Sequence, residues 1–383
     1  MDNLLTFYDV WVGPTQEILK APAASLFRGG PLWPDYDDQT LARQCRGIEI
    51  KVVDDKPSFD TSGDLRVDEG IWCGPTVHHF GHMIADFSMR VILSAQMSAG
   101  LPLVFSGAAA DKKGKIQDAP SYFWAMIDHF RIDRKRVVIV REPTLFRTLH
   151  VFPQAERMHG PAPVSSYLDL LDKTTGLAAK SRVADVDKLY VSRSKFIAGG
   201  LAGEAYLDKT LEKCGVKVIY PEELPLAEQM KYYQSAKTLV FSEGSAVHAL
   251  QLIGRLNADV GILVRRAKAR IAHNSVQARA NSTQYLEASP ELVYGLRASG
   301  LGNQSKGITL LSGAGIIEKF QAMGIDIAKK WNEKEFKTQQ LADLKAWMTL
   351  RLENPKAHPD EKNAIERSLQ NLSRPLSIDE LNL

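Results

Sequence analysis

Short apolar runs alternate with helically spaced apolar positions over the middle of this chain. The runs lie near residues 188–193, 216–220, 238–242 and 260–265, at intervals of about 24 residues. Strands that alternate with helices at this spacing form βαβ crossovers, which build a parallel sheet. The pattern therefore predicts an α/β unit here, whose phosphate ligands would lie beyond the carboxyl ends of the strands.

A second α/β pattern precedes this one. Apolar side chains recur at helical spacing over residues 84–99, a short strand is predicted at 101–105, and a helix over 121–131. Residues 137–140, with the sequence VVIV, are typical of a buried parallel strand. These elements predict a first α/β unit.

The two ends of the chain have weaker patterns. Residues 1–65 are rich in Pro, Gly and Asp and predict an irregular extension with one or two edge strands. Residues 307–311 indicate a further strand and 314–331 a helix, and the charged tail from 332 is helical around Leu341, Leu344 and Trp347. After Pro355 the polar composition predicts a mobile segment.

The length of 383 residues suits two domains with extensions. We place the boundaries so that residues 1–65 are the extension, 66–185 and 186–335 the two α/β domains, and 336–383 a helix with a polar tail. The boundary at 185 is set by the polar connector 185–188. A single open sheet with a helical appendage is the alternative.

Composition excludes several classes of function. The 48 basic and 45 acidic residues nearly balance, so nothing indicates a nucleic-acid partner. The three cysteines have no CxxC spacing, which argues against a disulfide framework and a structural zinc site. No signal peptide or membrane-spanning run is predicted, so the cytoplasm is the expected location, with peripheral membrane contact left open.

The turn after the third strand of the second unit is the strongest candidate for a binding site. The β-rich run 238–241 leads into Ser242, Glu243 and Gly244, and a helix is predicted directly afterwards. The exposed N–H groups and the dipole at a helix start favour a phosphate. Gly244 allows close approach of the backbone, Ser245 can cap the helix, and many such turns bind no phosphate.

These segments resemble the signature of the family 61 glycosyltransferases, the capsular-polysaccharide or DUF563 type. The resemblance rests on LYVSR at 189–193, Glu204, the pair Glu228 and Gln229 with Tyr233 and Ala236, and residues 244–246. Upstream, HHFGH at 78–82 with Asp86 resembles the family's GH and acidic motif. Two positions differ: Glu243 replaces the usual His, and residues 198–203 replace an Arg/Asn-rich stretch.

The resemblance implies a GT-B-like α/β fold, with two Rossmann-like domains facing across a cleft. Residues 66–185 would form the acceptor side, and 186–335 would bind a nucleotide-sugar. His82 would be the general base, oriented by Asp86 at i,i+4, although such a pair is often only a surface contact. The other implied site residues are Arg193, Lys195, Glu204, Gln229, Gly244, Ser245 and Ala246 for the donor, and Glu243 and His248 for the sugar or acceptor.

The leading hypothesis is an inverting, metal-independent glycosyltransferase. It would transfer a sugar from a nucleotide-diphosphate donor, with a UDP-sugar favoured, to a hydroxyl of a surface or capsular glycan or a lipid-linked acceptor. No cofactor or metal is expected, because Asp185-Val186-Asp187 precedes its strand and His78, His79 and His82 lack a fourth ligand. The basic run 265–270 would receive an anionic acceptor or be a solvated loop. A nucleotide-sugar epimerase and an inactive glycan- or nucleotide-binding protein are the alternatives.

Overall fold

A computed structural model describes residues 3–18, 27–98, 100–108, 118–176, 183, 186–196 and 199–378. Its strands are β1 Leu5–Ile18, β2 Phe27–Pro31, β3 Cys45–Arg46, β4 Lys51–Val52, β5 Asp54–Asp55, β6 Arg66–Pro75, β7 Leu103–Ser106, β8 Val137–Val140, β9 Thr144–Val151, β10 Lys188–Val191, β11 Lys217–Ile219, β12 Thr238–Ser242, β13 Asp259–Leu263, β14 Ser282–Leu286, β15 Glu291–Val293 and β16 Ile308–Leu310. Its α-helices are α1 Phe80–His82, α2 Val91–Met97, α3 Ser121–His129, α4 Ser165–Thr175, α5 Glu204–Lys213, α6 Leu226–Ser235, α7 His273–Gln277, α8 Gly313–Ala322, α9 Glu333–Leu352 and α10 Glu361–Gln370.

The chain divides into two compact units. Unit 1 comprises Met1–Ala178, His248–Arg255 and Ala272–Arg279, and unit 2 comprises the remaining residues. The boundary predicted at residue 185, the turn at Asp185, and Ala198 of the altered loop lie outside the described residues. The GT-B arrangement of the two units stays a prediction.

Unit 1 contains a mixed seven-stranded sheet in the order β5-β2-β1-β9-β6-β7-β8. Strands β6, β7 and β8 are parallel and are connected through helices, as the apolar pattern predicts. The N-terminal segment differs from the expected edge strands. The long strand β1 lies inside the sheet, antiparallel to both β2 and β9, and its Val10 and Val12 belong to the apolar core. Its partner β9 is distant in the sequence, so local composition did not reveal that β1 lies inside the sheet.

Unit 2 contains a five-stranded parallel sheet in the order β11-β10-β12-β13-β14. The four apolar runs of the sequence are strands β10 to β13, which confirms a parallel α/β unit. Relative to chain order this is the 2-1-3-4-5 arrangement, in which the connections change direction between β10 and β12. Ligands of open α/β sheets bind beyond the carboxyl ends of the strands at such a point. Residues that follow β10 and β12 are therefore the first candidates for a site.

Two predicted elements differ from those observed. The segment after Gly244 is the 3-10 helix Ser245–Leu252, not an α-helix. After Pro355, where a mobile segment is predicted, α10 buries Ile365 and Leu369 in a cluster with Leu344 and Trp347 of α9. Helices α9 and α10 each cover the apolar face of the other, which explains why the segment after Pro355 is helical.

None of the helices within the described ranges has the length and apolarity needed to cross a membrane.

Candidate functional site

His82 and Asp86 contact each other in the helical segment that follows β6. Helix α1 ends at His82, and the π-helical turn Met83–Phe87 carries Asp86. Nδ1 of His82 lies 2.8 Å from Oδ2 of Asp86. The Asp86 carboxylate is fully buried, whereas 36% of the His82 side chain is exposed. The spacing of four residues thus produces the predicted contact, and the imidazole remains accessible to a ligand.

Arg46 completes this group from strand β3. Its Nε donates to Oδ1 of Asp86 at 2.8 Å and its Nη2 to Oδ2 at 2.7 Å, while Nη2 lies 3.2 Å from Nδ1 of His82. Burial raises the pKa of Asp86, but the hydrogen bonds from His82 and Arg46 outweigh it and bring that pKa below its ordinary value. An ionised Asp86 accepts a proton donor, so a neutral His82 carries its proton on Nδ1 and presents the Nε2 lone pair.

The backbone at Asp86 is fixed by two glutamines. Gln44 donates to the Asp86 carbonyl at 2.8 Å and Gln154 donates to it at 3.3 Å. Gln154 also accepts a hydrogen bond from the backbone N–H of Cys45 at 2.6 Å, directly before Arg46. These bonds position the carboxylate and the guanidinium relative to each other.

Two further histidines lie in the surroundings of this pair. His79 caps α1, because its Nδ1 accepts the backbone N–H of His82 at 3.2 Å. Burial, followed by the charge of His82, lowers the pKa of His79. Burial also lowers the pKa of His248, whose Nδ1 lies 2.9 Å from the side-chain oxygen of Gln251. Both imidazoles are therefore neutral at pH 7.

In unit 2, Arg193 follows β10 and lies against the turn that follows β12. A Cβ atom at Gly244 would lie 2.7 Å from Cδ and 2.8 Å from Cζ of Arg193, so only glycine leaves room for this side chain. Nη2 of Arg193 donates to the Gly199 carbonyl at 3.3 Å, and its buried Nε has no hydrogen-bond partner among the described residues. Within the same residues, no carboxylate forms an ion pair with its guanidinium.

Arg265 brings a second guanidinium to the same edge of the sheet, two residues after β13. Its Nη1 and Nη2 make long contacts of 3.4 and 3.5 Å with the carbonyls of Gln304 and Ser305. Its buried Nε is likewise unpartnered in the described part of the chain. Burial lowers the pKa of Arg265 to about 10; the charge of Glu243 opposes this shift, and the charges of Arg266 and Arg193 add to it. The two cations thus lie at the same carboxyl edge of the sheet, close enough for the charge of Arg193 to act on Arg265.

Glu243, which replaces the family's usual His, is fully buried. One carboxylate oxygen accepts the backbone N–H groups of Arg265 at 2.8 Å and Arg266 at 3.0 Å. The other accepts Nε of Arg266 at 2.7 Å. Both carboxylate oxygens thus accept hydrogen bonds from the turn after β13, and Arg266 compensates their negative charge.

Glu204 and Asp208 form a buried carboxylate pair one turn apart on α5. Glu204 accepts the hydroxyl of Tyr190 at 2.7 Å and the backbone N–H of Arg193 at 3.0 Å. Asp208 accepts hydroxyl groups from three side chains: Ser192 at 2.9 Å, Ser194 at 2.6 Å and Tyr220 at 3.2 Å. Burial raises the pKa of Glu204, and burial together with the Glu204 charge raises the pKa of Asp208 to about 7. The pair supports the loop that carries Arg193.

The other predicted donor residues have different surroundings. Lys195 pairs with Glu223, and its ammonium group lies 4.1 Å from the centre of the Tyr220 ring. Gln229 donates to the carbonyls of Pro221 at 2.7 Å and Leu224 at 2.9 Å, so its amide stabilises the start of α6. Ser245 and Ala246 begin the 3-10 helix, whose first backbone N–H groups have no partner inside the helix.

Sequence reasoning missed Arg46, Asp208 and the specific role of Arg265. Arg265 could have been found, because it follows the last apolar run of the parallel sheet. Nothing in the local sequence distinguishes Arg46 from other arginines, since its partner is 40 residues away.

No group of three His, Cys, Asp or Glu side chains in the described ranges is arranged to hold a metal ion. His78 lies outside the His82–Asp86 contact, with its Nε2 2.9 Å from the Asp118 carbonyl. Metal independence stays a prediction.

Comparison with known proteins gives one result for the family and one for individual relatives. Residues 80–253 match the family model described as Glycosyltransferase 61, and this region contains both His82–Asp86 and the turn at Gly244. The search of curated proteins gives no match. The match confirms the resemblance seen in the sequence and supports a family 61 glycosyltransferase over residues 80–253.

Proposed function

We propose that this protein is an inverting, metal-independent glycosyltransferase that works in the cytoplasm. It would transfer a sugar from a nucleotide-diphosphate donor, with a UDP-sugar as the first candidate, to a hydroxyl of a surface or capsular glycan. Unit 2 would bind the donor, and unit 1 would supply the base for the acceptor.

The observation that carries this proposal is the pair of guanidinium groups at the carboxyl edge of the unit 2 sheet. Arg193 and Arg265 each have a buried Nε that no described residue engages, and no described carboxylate forms an ion pair with either side chain. A buried guanidinium nitrogen without a hydrogen-bond partner is costly, and a diphosphate would supply oxygen acceptors together with negative charge. The N–H groups of Gly244, Ser245 and Ala246 add donors of the kind that bind phosphate at helix starts.

In the proposed reaction, Nε2 of His82 takes the proton of the acceptor hydroxyl. The resulting oxygen nucleophile attacks the anomeric carbon while the bond from this carbon to the diphosphate oxygen breaks. A single displacement inverts the configuration at that carbon. Negative charge grows on the leaving diphosphate, and Arg193 and Arg265 would stabilise it electrostatically. Their two positive charges are the basis for proposing that no metal is required.

Glu243 does not argue against donor binding on electrostatic grounds. A free carboxylate beside the phosphates would repel them, but this one accepts two backbone N–H groups and pairs with Arg266. The altered sequence at residues 198–203 is therefore the remaining argument for an inactive protein.

The test is thermal stabilisation by UDP-, GDP-, CMP- and dTDP-sugars, each with and without EDTA. A ligand at a hundredfold its Kd stabilises the folded state by about 2.7 kcal/mol, which a melting curve resolves. We expect one nucleotide class to stabilise the wild type irrespective of EDTA, and Arg193→Gln to abolish the shift. Arg270→Gln is the matched control, because Arg270 pairs with Glu287 at 2.6 Å in the same unit.

The other outcomes separate the alternatives. A shift that EDTA removes contradicts metal independence. Isomerisation of the sugar with no acceptor present favours the epimerase, and binding without transfer or hydrolysis favours an inactive protein. Stabilisation that is equal in Arg193→Gln and the wild type contradicts the donor site.

A further inference from the structure

We propose that Arg46 is a positioning residue for the His82 base: it fixes the Asp86 carboxylate and, through it, the orientation and the tautomer of the imidazole. This inference rests on the proposed role of His82 and adds to it a segment outside residues 80–253, the region of the family match.

The hydrogen-bond geometry leaves Asp86 no freedom to rotate. The two nitrogens of the Arg46 fork donate to separate oxygens at 2.8 and 2.7 Å, and Oδ2 also contacts Nδ1 of His82 at 2.8 Å. A planar guanidinium matches a carboxylate in two places at once, which a lysine ammonium cannot do. The plane of the carboxylate, and hence the direction of its bond to His82, is therefore set by Arg46.

The position of Arg46 beside Asp86 is fixed by the pairing of its strand and by Gln154. It belongs to strand β3, which pairs with β4 through Cys45–Val52 and Arg46–Lys51. Gln154 ties the two sides together, since it accepts the N–H of Cys45 and donates to the carbonyl of Asp86. The N-terminal segment thus contributes Arg46 to the group with His82 and Asp86 through ordered contacts of its backbone.

The charges around the imidazole give Arg46 a second effect. The ionisable groups that act on the pair are Arg46 from β3, His79 from the cap of α1 and His248 from the 3-10 helix. Both histidines are neutral at pH 7, so the positive charge comes from Arg46, whose Nη2 is 3.2 Å from Nδ1 of His82. This charge compensates that of Asp86, so the carboxylate stays ionised and accepts the Nδ1 proton of His82.

The test compares Arg46→Gln with Arg46→Lys in a transfer assay. In Arg46→Gln we expect kcat to fall about tenfold to a hundredfold, with KM for the donor changed by less than about threefold. Arg46→Lys keeps a charge but cannot contact both carboxylate oxygens in the same way, so it should restore only part of kcat.

Arg134→Gln is the matched control. Arg134 makes the same two-pronged contact with Asp128, at 2.9 and 2.6 Å, and no histidine takes part in it. Its kcat and KM should equal those of the wild type. If Arg46→Gln keeps the wild-type kcat, or if its KM for the donor rises as much as its kcat falls, Arg46 does not position the base.

A second readout does not depend on activity. Two-dimensional nitrogen–proton NMR of labelled imidazoles, with the His82 signals assigned by their loss in His82→Gln, shows which ring nitrogen carries the proton. We expect Nδ1–H for wild-type His82 at pH 8 and a mixture of the two neutral tautomers in Arg46→Gln. A wild-type Nε2–H tautomer would overturn the proposal. If the NMR result holds but no donor is turned over, the proposed function fails and the role of Arg46 in setting the state of His82 stands.

Discussion

Asp86 and Asp208 are both buried aspartates whose neighbours give them opposite titration behaviour. Burial raises the pKa of each, but Asp86 faces His82 and Arg46, whose hydrogen bonds lower its pKa. Asp208 faces hydroxyl groups and the Glu204 carboxylate, and the like charge adds to burial, so its pKa rises to about 7. In the folded state the Glu204–Asp208 pair therefore retains a proton that the unfolded chain has already released.

Asp208→Asn should change how stability depends on pH. The folded pKa of Asp208 is raised from 3.8 to about 7, so its contribution to stability is full below pH 4 and is lost as the pH rises through 7. An asparagine does not titrate and can donate to Glu204. The free energy of unfolding of the variant, relative to the wild type, should therefore increase by more than about 1 kcal/mol from pH 5 to pH 8. Urea unfolding at both pH values measures it.

Asp128→Asn is the control for this prediction. A hydrogen bond from Arg134 lowers the pKa of the exposed Asp128, so this group titrates below the tested range. Its difference from the wild type should be flat from pH 5 to pH 8. An equally flat difference for Asp208→Asn would show that the buried pair retains no proton.

At the scale of elements, the position of one side chain depends on the turn of another strand. Arg193 follows β10, yet its guanidinium passes over Gly244, which follows β12. Gly244→Ala places a methyl group against the flexible end of Arg193, which can move away at little cost in stability. We expect an unfolding free energy within about 1 kcal/mol of the wild type. Nucleotide affinity should fall about tenfold to a hundredfold in calorimetry, because a charge-assisted hydrogen bond is lost.

The double variant Gly244→Ala with Arg193→Gln distinguishes an effect through Arg193 from a general distortion of the turn. If the added methyl acts by displacing Arg193, the double variant should bind the nucleotide no more weakly than Arg193→Gln alone. Additive losses would mean that Gly244 acts independently of the arginine.

Elements specified by local pattern could be predicted from the sequence, and those specified by distant contacts could not. The VVIV run of β8 and the apolar runs of β10 to β13 contain their own signal, since strands of a parallel sheet are buried on both faces. Strand β1 and Arg46 depend on partners far along the chain. The same contrast holds at the site: the spacing of His82 and Asp86 predicts their contact, but not that a third residue fixes it.

For the whole molecule, the C-terminal helices belong to the structure that supports the loop carrying Arg193, the proposed donor site. Asp343 of α9 accepts the backbone N–H of Gly203 at 2.7 Å, directly before the helix that carries Glu204 and Asp208. Phe336 of α9 lies in the same apolar core as Tyr190 of β10. The segment after the family match thus stabilises the loop between β10 and α5, which carries Arg193.

Trp347→Ala tests whether this C-terminal packing stabilises unit 2. The indole is fully buried among Leu344, Ile365 and Leu369, and its Nε1 donates to the Lys306 carbonyl at 2.9 Å. Its removal leaves a cavity and an unpaired carbonyl, so urea unfolding should show a loss of about 3–5 kcal/mol. Leu350→Ala on the same helix is the control, because that side chain is 52% exposed and should change stability by less than about 0.5 kcal/mol. If the two variants unfold at the same urea concentration, the packing of α9 and α10 does not stabilise unit 2. If they differ as expected, a chain cut before α9 should lose the fold of unit 2, even though it retains every residue of the family match.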